Sequence, residues 1–287
     1  MVYVGSYVKE GNQIHGKFYA FSFGEDEPSW IYPRQEYFDG PVVGGAVVAL
    51  GKVYFGCSDG KVYALDAATG DLAWDSPFQT GDRIWSTPAI DNGTLYIGSC
   101  DKKLYALDAT DGSKKWEPFE AEGAIVCTPL VYDNTIYIGS FDRHVYAVDA
   151  TNGSLIWRSE VEAGSWFWAS LVAYNNVIYA GCVDGKVYVL NAEDGSELIP
   201  AIDLGSLIRS SPVLVDSSVI IATEDGRIYS LDTSNNQIKE LDDVGAVVYA
   251  PLSARDGVVY IHTQDQVVYA LDVQAREELW HYSLGSK

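Results

Sequence analysis

A motif of about 42 residues recurs along the whole 287-residue chain, and nothing else in the sequence limits the fold so strongly. Four copies align directly: VYFGCSDGKVYALDAATGDLAW at 53–74, LYIGSCDKKLYALDATDGSKKW at 95–116, IYIGSFDRHVYAVDATNGSLIW at 136–157 and VYIHTQDQVVYALDVQAREELW at 259–280. Weaker copies occupy 178–199 and 219–240, and a seventh opens the chain and ends at Trp30. The anchoring tyrosines are Tyr19, Tyr63, Tyr105, Tyr146, Tyr188, Tyr229 and Tyr269, at spacings of 44, 42, 41, 42, 41 and 40. Length alone would suggest two domains. The repeat replaces that reading with seven units of one domain spanning 1–287.

Each unit carries four short runs rich in Val, Ile, Tyr and Trp, separated by Asp, Asn and Gly. In the third unit the runs are IWSTPAI, LYIGSC, KLYALD and a last one ending at Trp116. Asp-Gly and Asn-Gly pairs suit tight hairpin turns, which need positive φ. No window shows a sustained 3.6-residue apolar period. The expected fold is therefore all-β: a β-propeller of seven four-stranded antiparallel blades closed into a ring. The blades fall at approximately 1–33, 41–77, 83–118, 124–159, 166–200, 207–241 and 247–284. The chain begins at the second strand of its first unit, so the first blade should lack its innermost strand. The tail HYSLGSK aligns with AIDLGSL, the segment that leads to the strand expected at 208–215.

One spacing matches a named pattern. Ala64, Asp66, Thr69, Gly70 and Trp74 read A-x-D-x-x-T-G-x-x-x-W. Ala106, Asp108, Gly112 and Trp116 repeat it, as do Ala147, Asp149, Gly153 and Trp157; Ala270, Asp272 and Trp280 keep its ends. This resembles the tryptophan-docking motif of the PQQ-like, quinoprotein-type β-propeller repeat family, over essentially the whole chain. Within it the chain resembles the non-catalytic, BamB-like branch, the propellers of outer-membrane protein assembly; other scaffolds of this kind are sensor or surface domains of larger proteins. The resemblance implies that Trp30, Trp74, Trp116, Trp157 and Trp280 are structural, each burying its ring against a neighbouring blade. Ile199 and Glu240 stand at this position in the fifth and sixth units, so two contacts should be weaker. Relatives often have eight blades, which makes a fragment of an eight-bladed propeller the alternative.

The family's enzymes hold pyrroloquinoline quinone over a vicinal disulfide, beside calcium. Here Cys57, Cys100, Cys127 and Cys182 are widely separated, and no C-x-x-C-H pattern occurs. The cysteines read as small buried thiols. His15, His144, His262 and His281 are scattered along the chain without metal-ligand spacing. No catalytic, cofactor-binding or metal-binding residue is assigned, and no cofactor is expected. A net charge of −21 argues against nucleic acid and anionic membranes as partners. No apolar run is long enough for a transmembrane helix. MVYVGSY is not a signal peptide, which reads as cytoplasmic for the chain as given, or extracytoplasmic for a mature or trimmed form.

An Asp recurs four residues before the anchoring tyrosine: Asp59, Asp101, Asp142, Asp184, Asp225 and Asp265. It reads as a turn residue between second and third strands, with a ring of cation-capturing carboxylates as the rival reading. Twenty residues before each tyrosine the chain varies: Val43, Trp85, Val126, Trp168, Arg209 and Tyr249. Its predecessors are apolar and its successors small, so this position is expected at a channel mouth. Up-and-down topology puts the Asp turns and the long first-unit turn, 7–16, at the same end. The candidate binding face is therefore Trp85, Trp166, Trp168, Arg209, Tyr249, Arg83 and His15. Exposed aromatics and Arg suit an interface; Trp166 and Trp168 equally suit plugging a wide channel. The reading is a monomeric, non-catalytic scaffold for a protein or peptide partner. The alternative is a PQQ-dependent or other small-ligand oxidoreductase with its site at the channel mouth.

Overall fold

A computed structural model describes residues 1–11 and 13–284. The last three residues of the HYSLGSK tail lie outside the described residues. The strands build a seven-bladed all-β propeller. Its first blade has three strands among the described residues, Val2–Gly5, Phe18–Phe21 and Trp30–Tyr32, as expected. Each of the other six blades is a four-stranded meander in chain order. The third is representative: Ala89–Asp91, Thr94–Gly98, Lys103–Asp108 and Phe119–Glu120.

Contacts group the chain into two compact units, Met1–Ile136 with Val148–Leu155, and Tyr137–Ala147 with Ile156–Lys287. Within each, the core is a series of clusters between successive blades. In the first unit, Phe18, Trp30, Phe55 and Leu65 form one such cluster, and Tyr54, Trp74, Ile97 and Leu107 the next. In the second unit, Tyr179, Ile208 and Leu231 form one, and Ile220, Val248 and Ile261 another. Middle strands are covered on both faces, so their burial is continuous. Val62, Tyr63, Ala64 and Leu65 are all buried, where a sheet with one wet face would alternate.

The tryptophan contact is built from two residues in one blade and two in the next. Trp74 donates its indole N–H to the Ala109 carbonyl at 3.2 Å, and the Tyr54 hydroxyl donates to the same oxygen at 2.8 Å. Trp30 and Tyr3 do this to Ala67, Trp116 and Tyr96 to Ala150, and Trp157 and Tyr137 to Ala192. The indole lies flat on a glycine three residues beyond that carbonyl. A Cβ on Gly70, Gly112, Gly153 or Gly195 would stand 2.5–2.7 Å from the ring of Trp30, Trp74, Trp116 or Trp157. These glycines also have φ of 72–79°, so the turn and the close approach select the same residue. Four docked tryptophans are 3–9% exposed; Trp280 is 47% exposed.

Two expectations are corrected. Trp74 and Trp116 do not end the outer strand of their blades; they precede short strands at Phe78–Gln79 and Phe119–Glu120. Pro77 and Pro118 follow within three residues and lack the N–H that a continuous strand needs. In the fourth and seventh blades no proline follows, and Trp157 and Trp280 lie inside Leu155–Arg158 and Glu277–Ser283. Innermost strands are also shorter than the apolar runs suggested. The sixth blade's is Val213–Val215, which leaves residues 208–212 as a segment leading into it.

Candidate functional site

The lead-in segments before the innermost strands are organised residue by residue. Val42, Ile84, Ile125, Phe167, Ile208 and Val248 are buried. Ile84, Ile125, Phe167 and Ile208 fill space where Gly56, Gly98, Gly139 and Gly181 of the preceding blade have no side chain. The small residue two places on packs against the next lead-in: Ser86 donates to the Cys127 carbonyl at 2.7 Å, and Ser210 to Ala250 at 2.7 Å. Between these two anchored positions the chain is free to vary. Tyr249 and Trp168 are 41% and 36% exposed, while Val126 is buried.

In the second, third, fifth, sixth and seventh blades the lead-in is tied to the second turn of its own blade. The amides of Ser58, Cys100, Val183, Glu224 and Gln264 donate to the carbonyls of Pro41, Arg83, Trp166, Leu207 and Val247. That turn is fixed by its Asp. Asp101 accepts from the Tyr105 hydroxyl at 2.5 Å, the Lys103 amide at 3.0 Å and the Gly81 amide at 2.7 Å. Asp59, Asp142 and Asp184 bond Tyr63, Tyr146 and Tyr188 in the same way. In the sixth and seventh blades the hydroxyls of Thr223 and Thr263 bond Asp225 and Asp265. The turn reading accounts for all six carboxylates. Burial, followed by the bond to a carboxylate, pushes the phenols of Tyr63, Tyr105 and Tyr188 well above their usual range.

In the unit containing 156–287, two groups of exposed and half-buried side chains result. Phe141 stacks on Trp166, with ring centroids 4.8 Å apart and planes at 17°, and on Trp168 at 5.7 Å and 29°. Trp166 is 50% exposed. The second group is polar: Arg209 Nε lies 3.2 Å from Glu224, the Tyr249 hydroxyl donates to Glu224 at 3.2 Å, and the Arg209 guanidinium sits 5.8 Å from the centre of the Tyr249 ring. Sequence reasoning missed Phe141 and Glu224. Both stand immediately before the repeated Asp, where the other blades have Ser58, Cys100, Val183 and Gln264. Divergence at that position was the available signal.

The remaining candidates belong to the other unit. Arg83 is exposed and, with Asp39, Asp59, Lys61 and Asp82, lines a cavity of about 410 Å³. Trp85 is half-buried one residue beyond Ile84. The long first-blade turn forms its own hairpin, Val8–Glu10 with Gln13–His15. Its His15 ring lies against Tyr37 at 5.8 Å, and Lys17 sits 4.7 Å over the same Tyr37 ring.

The family pattern matched is described as outer membrane protein assembly factor BamB, and it covers residues 1–86 and 58–282. The chain belongs to the BamB family of PQQ-type propellers. BamB from Moraxella catarrhalis is similar in structure, with a TM-score of 0.70 at 18% identity over 85% of this chain and 76% of that one. The computationally designed Ika8 protein gives a TM-score of 0.79 at 16% identity over 96% of this chain and 85% of Ika8. Both likenesses establish the fold. Comparison with curated protein sequences gives no match. No helix is long and apolar enough to cross a membrane among the described residues.

The quinone of the family's enzymes does not fit these residues. Its vicinal disulfide has no counterpart, since the four cysteines are free thiols in separate blades. Burial raises the Cys182 thiol to about 12 and the Cys100 thiol to about 11, which keeps both protonated. Among the described residues no cluster of three His, Cys, Asp or Glu is placed to hold a metal ion.

Proposed function

We propose that this chain is a non-catalytic BamB-type propeller that binds a protein or peptide segment. The Phe141–Trp166–Trp168 stack carries the reading: three aromatic rings piled together with both indoles open to solvent. Large aromatics on a rigid backbone lose little entropy on binding and bury much area. Phe167 between them is core, which holds the two tryptophans in place. Arg209 and Tyr249, at the repeat position of Trp168 one and two blades on, form a polar group with Glu224. Membership of a family described by outer-membrane protein assembly favours a protein partner over a small molecule.

The test is a Trp168→Ala, Arg209→Ala double variant. It should keep its thermal midpoint, because both side chains are partly exposed, and should bind its protein partner at least about tenfold more weakly. Pull-downs that recover the same proteins at the same yield would show the face is elsewhere. Added pyrroloquinoline quinone with calcium should leave the midpoint unchanged; a shift with quinone absorbance would favour the oxidoreductase.

A further inference from the structure

The group formed by Arg209, Glu224 and Tyr249 is a cation held over a ring with a carboxylate beside both. The Arg209 guanidinium sits 5.8 Å from the centre of the Tyr249 ring, and Glu224 lies 3.2 Å from Arg209 Nε and 3.2 Å from the tyrosine hydroxyl. The lead-in that carries Arg209 adjoins the one that carries the aromatic stack: the Ser170 amide donates to the Ser211 hydroxyl at 3.0 Å. Two blades earlier in the sequence, the positions of Glu224, Arg209 and Tyr249 are taken by Phe141, Val126 and Trp168. The rings are there and the arginine is not.

The charges around the stack are of one sign. The segments 160–165, 203–206 and 242–246 lead from outer strand to lead-in, and the amides of Ala163, Leu204 and Val244 bond the second-turn carbonyls of Arg143, Gly185 and Gly226. They carry Glu160, Glu162, Asp203, Asp242 and Asp243, and no Lys or Arg. Arg143, Arg209 and Arg227 are already engaged by Glu162, Glu224 and Asp225. Asp203, Asp242 and Asp243 accept the amides of Gly205, Asp243 and Gly245, and have no ion-pair partner among the described residues. Trp166 is 50% exposed beyond its stack on Phe141. An open indole amid unanswered carboxylates attracts a cation through both the ring and the field. We infer that the protein segment bound by this face is basic, and lays an arginine side chain over Trp166 as Arg209 lies over Tyr249. This rests on the protein-binding reading of the same face and names the chemistry of the partner. Arginine suits the place better than lysine, because its planar guanidinium stacks on a ring while its N–H groups reach carboxylates.

The probe is a fluorophore-labelled, amidated peptide, GSRFRSG, followed by anisotropy at about 0.15 M salt. Its counterpart has citrulline at both arginines, which keeps the planar shape and removes the charge. The arginine peptide should bind at least about tenfold more tightly than the citrulline peptide, and Trp166→Ala should weaken it at least about fivefold with the thermal midpoint unchanged. Equal affinity for the two peptides overturns the inference, as does no binding of the arginine peptide. So does an arginine-peptide affinity that Trp166→Ala leaves unchanged, since the acidic chain would then attract cations without the indole. Equal binding of both peptides that is lost in Trp166→Ala sinks this inference alone and leaves a peptide-binding face of other chemistry. Binding of both that survives Trp166→Ala and the Trp168→Ala, Arg209→Ala pair sinks the wider reading of the face as well.

Discussion

A single indole has opposite consequences depending on what lies beyond it. Trp74→Ala removes a buried ring and a hydrogen bond, and should cost about 3–5 kcal/mol in urea unfolding. Trp280→Ala should fall within about 0.5 kcal/mol of the parent, because that ring is half in water already. Gly112→Ala should approach the cost of losing Trp74, since its new Cβ would stand 2.7 Å from the indole at a φ of +79°. Cys182 gives a second measurement: its thiol, raised to about 12 by burial, should resist iodoacetamide at pH 8 until the chain is unfolded. The tryptophans were legible because they recur at one spacing. The second role of the glycine, as a floor for a ring from the preceding blade, was not, since turn chemistry already explains a glycine there. Phe141 and Glu224 escaped because the repeated Asp beside them explained that segment as a turn, and the divergence next to it went unread.

Strands and turns were legible wherever the repeat copies itself. The outer strand was not, because its limits depend on single prolines after the tryptophan rather than on apolar pattern. The lead-in residues read as strand because they are apolar, but their burial comes from filling the space over Gly56, Gly98, Gly139 and Gly181. The element most open to redesign lies between the sixth and seventh blades. Glu240 and Arg276 replace the Trp–Gly pair there, and a cavity of about 380 Å³ lies between Lys239, Leu241, Val273 and Arg276. Glu240→Trp with Arg276→Gly should raise stability by about 1–2 kcal/mol in thermal or urea unfolding. Glu240→Trp alone should not, because the arginine side chain would occupy the ring's place.

At the scale of the whole molecule, the acidity is distributed through structural turns, and the stability profile follows from it. Bonds from Lys115 and the Thr110 amide hold the Asp108 carboxyl down at about 2. Turn amides of Thr69 and Ala68 lower Asp66, and the Ser234 hydroxyl and amide lower Asp232. A carboxylate lowered by folding contributes stability that is complete above its unfolded value of about 3.9 and is lost as pH falls through the folded one. Urea midpoints should therefore hold between pH 7 and 5 and drop between about pH 4 and 2. At neutral pH the net charge of −21 opposes compaction, so about 0.15 M salt should raise the thermal midpoint above its low-salt value. The paired Trp and Gly positions also act as a grammar for gene duplication. A blade that receives on glycine and docks through tryptophan, as the third does, can be copied in tandem with both junctions matched. The sixth, which receives on Asn236 and ends in Glu240, would leave the copy mismatched on both sides if moved among the first four. Lengthening such a propeller in evolution is thus easiest from the blades that look most alike.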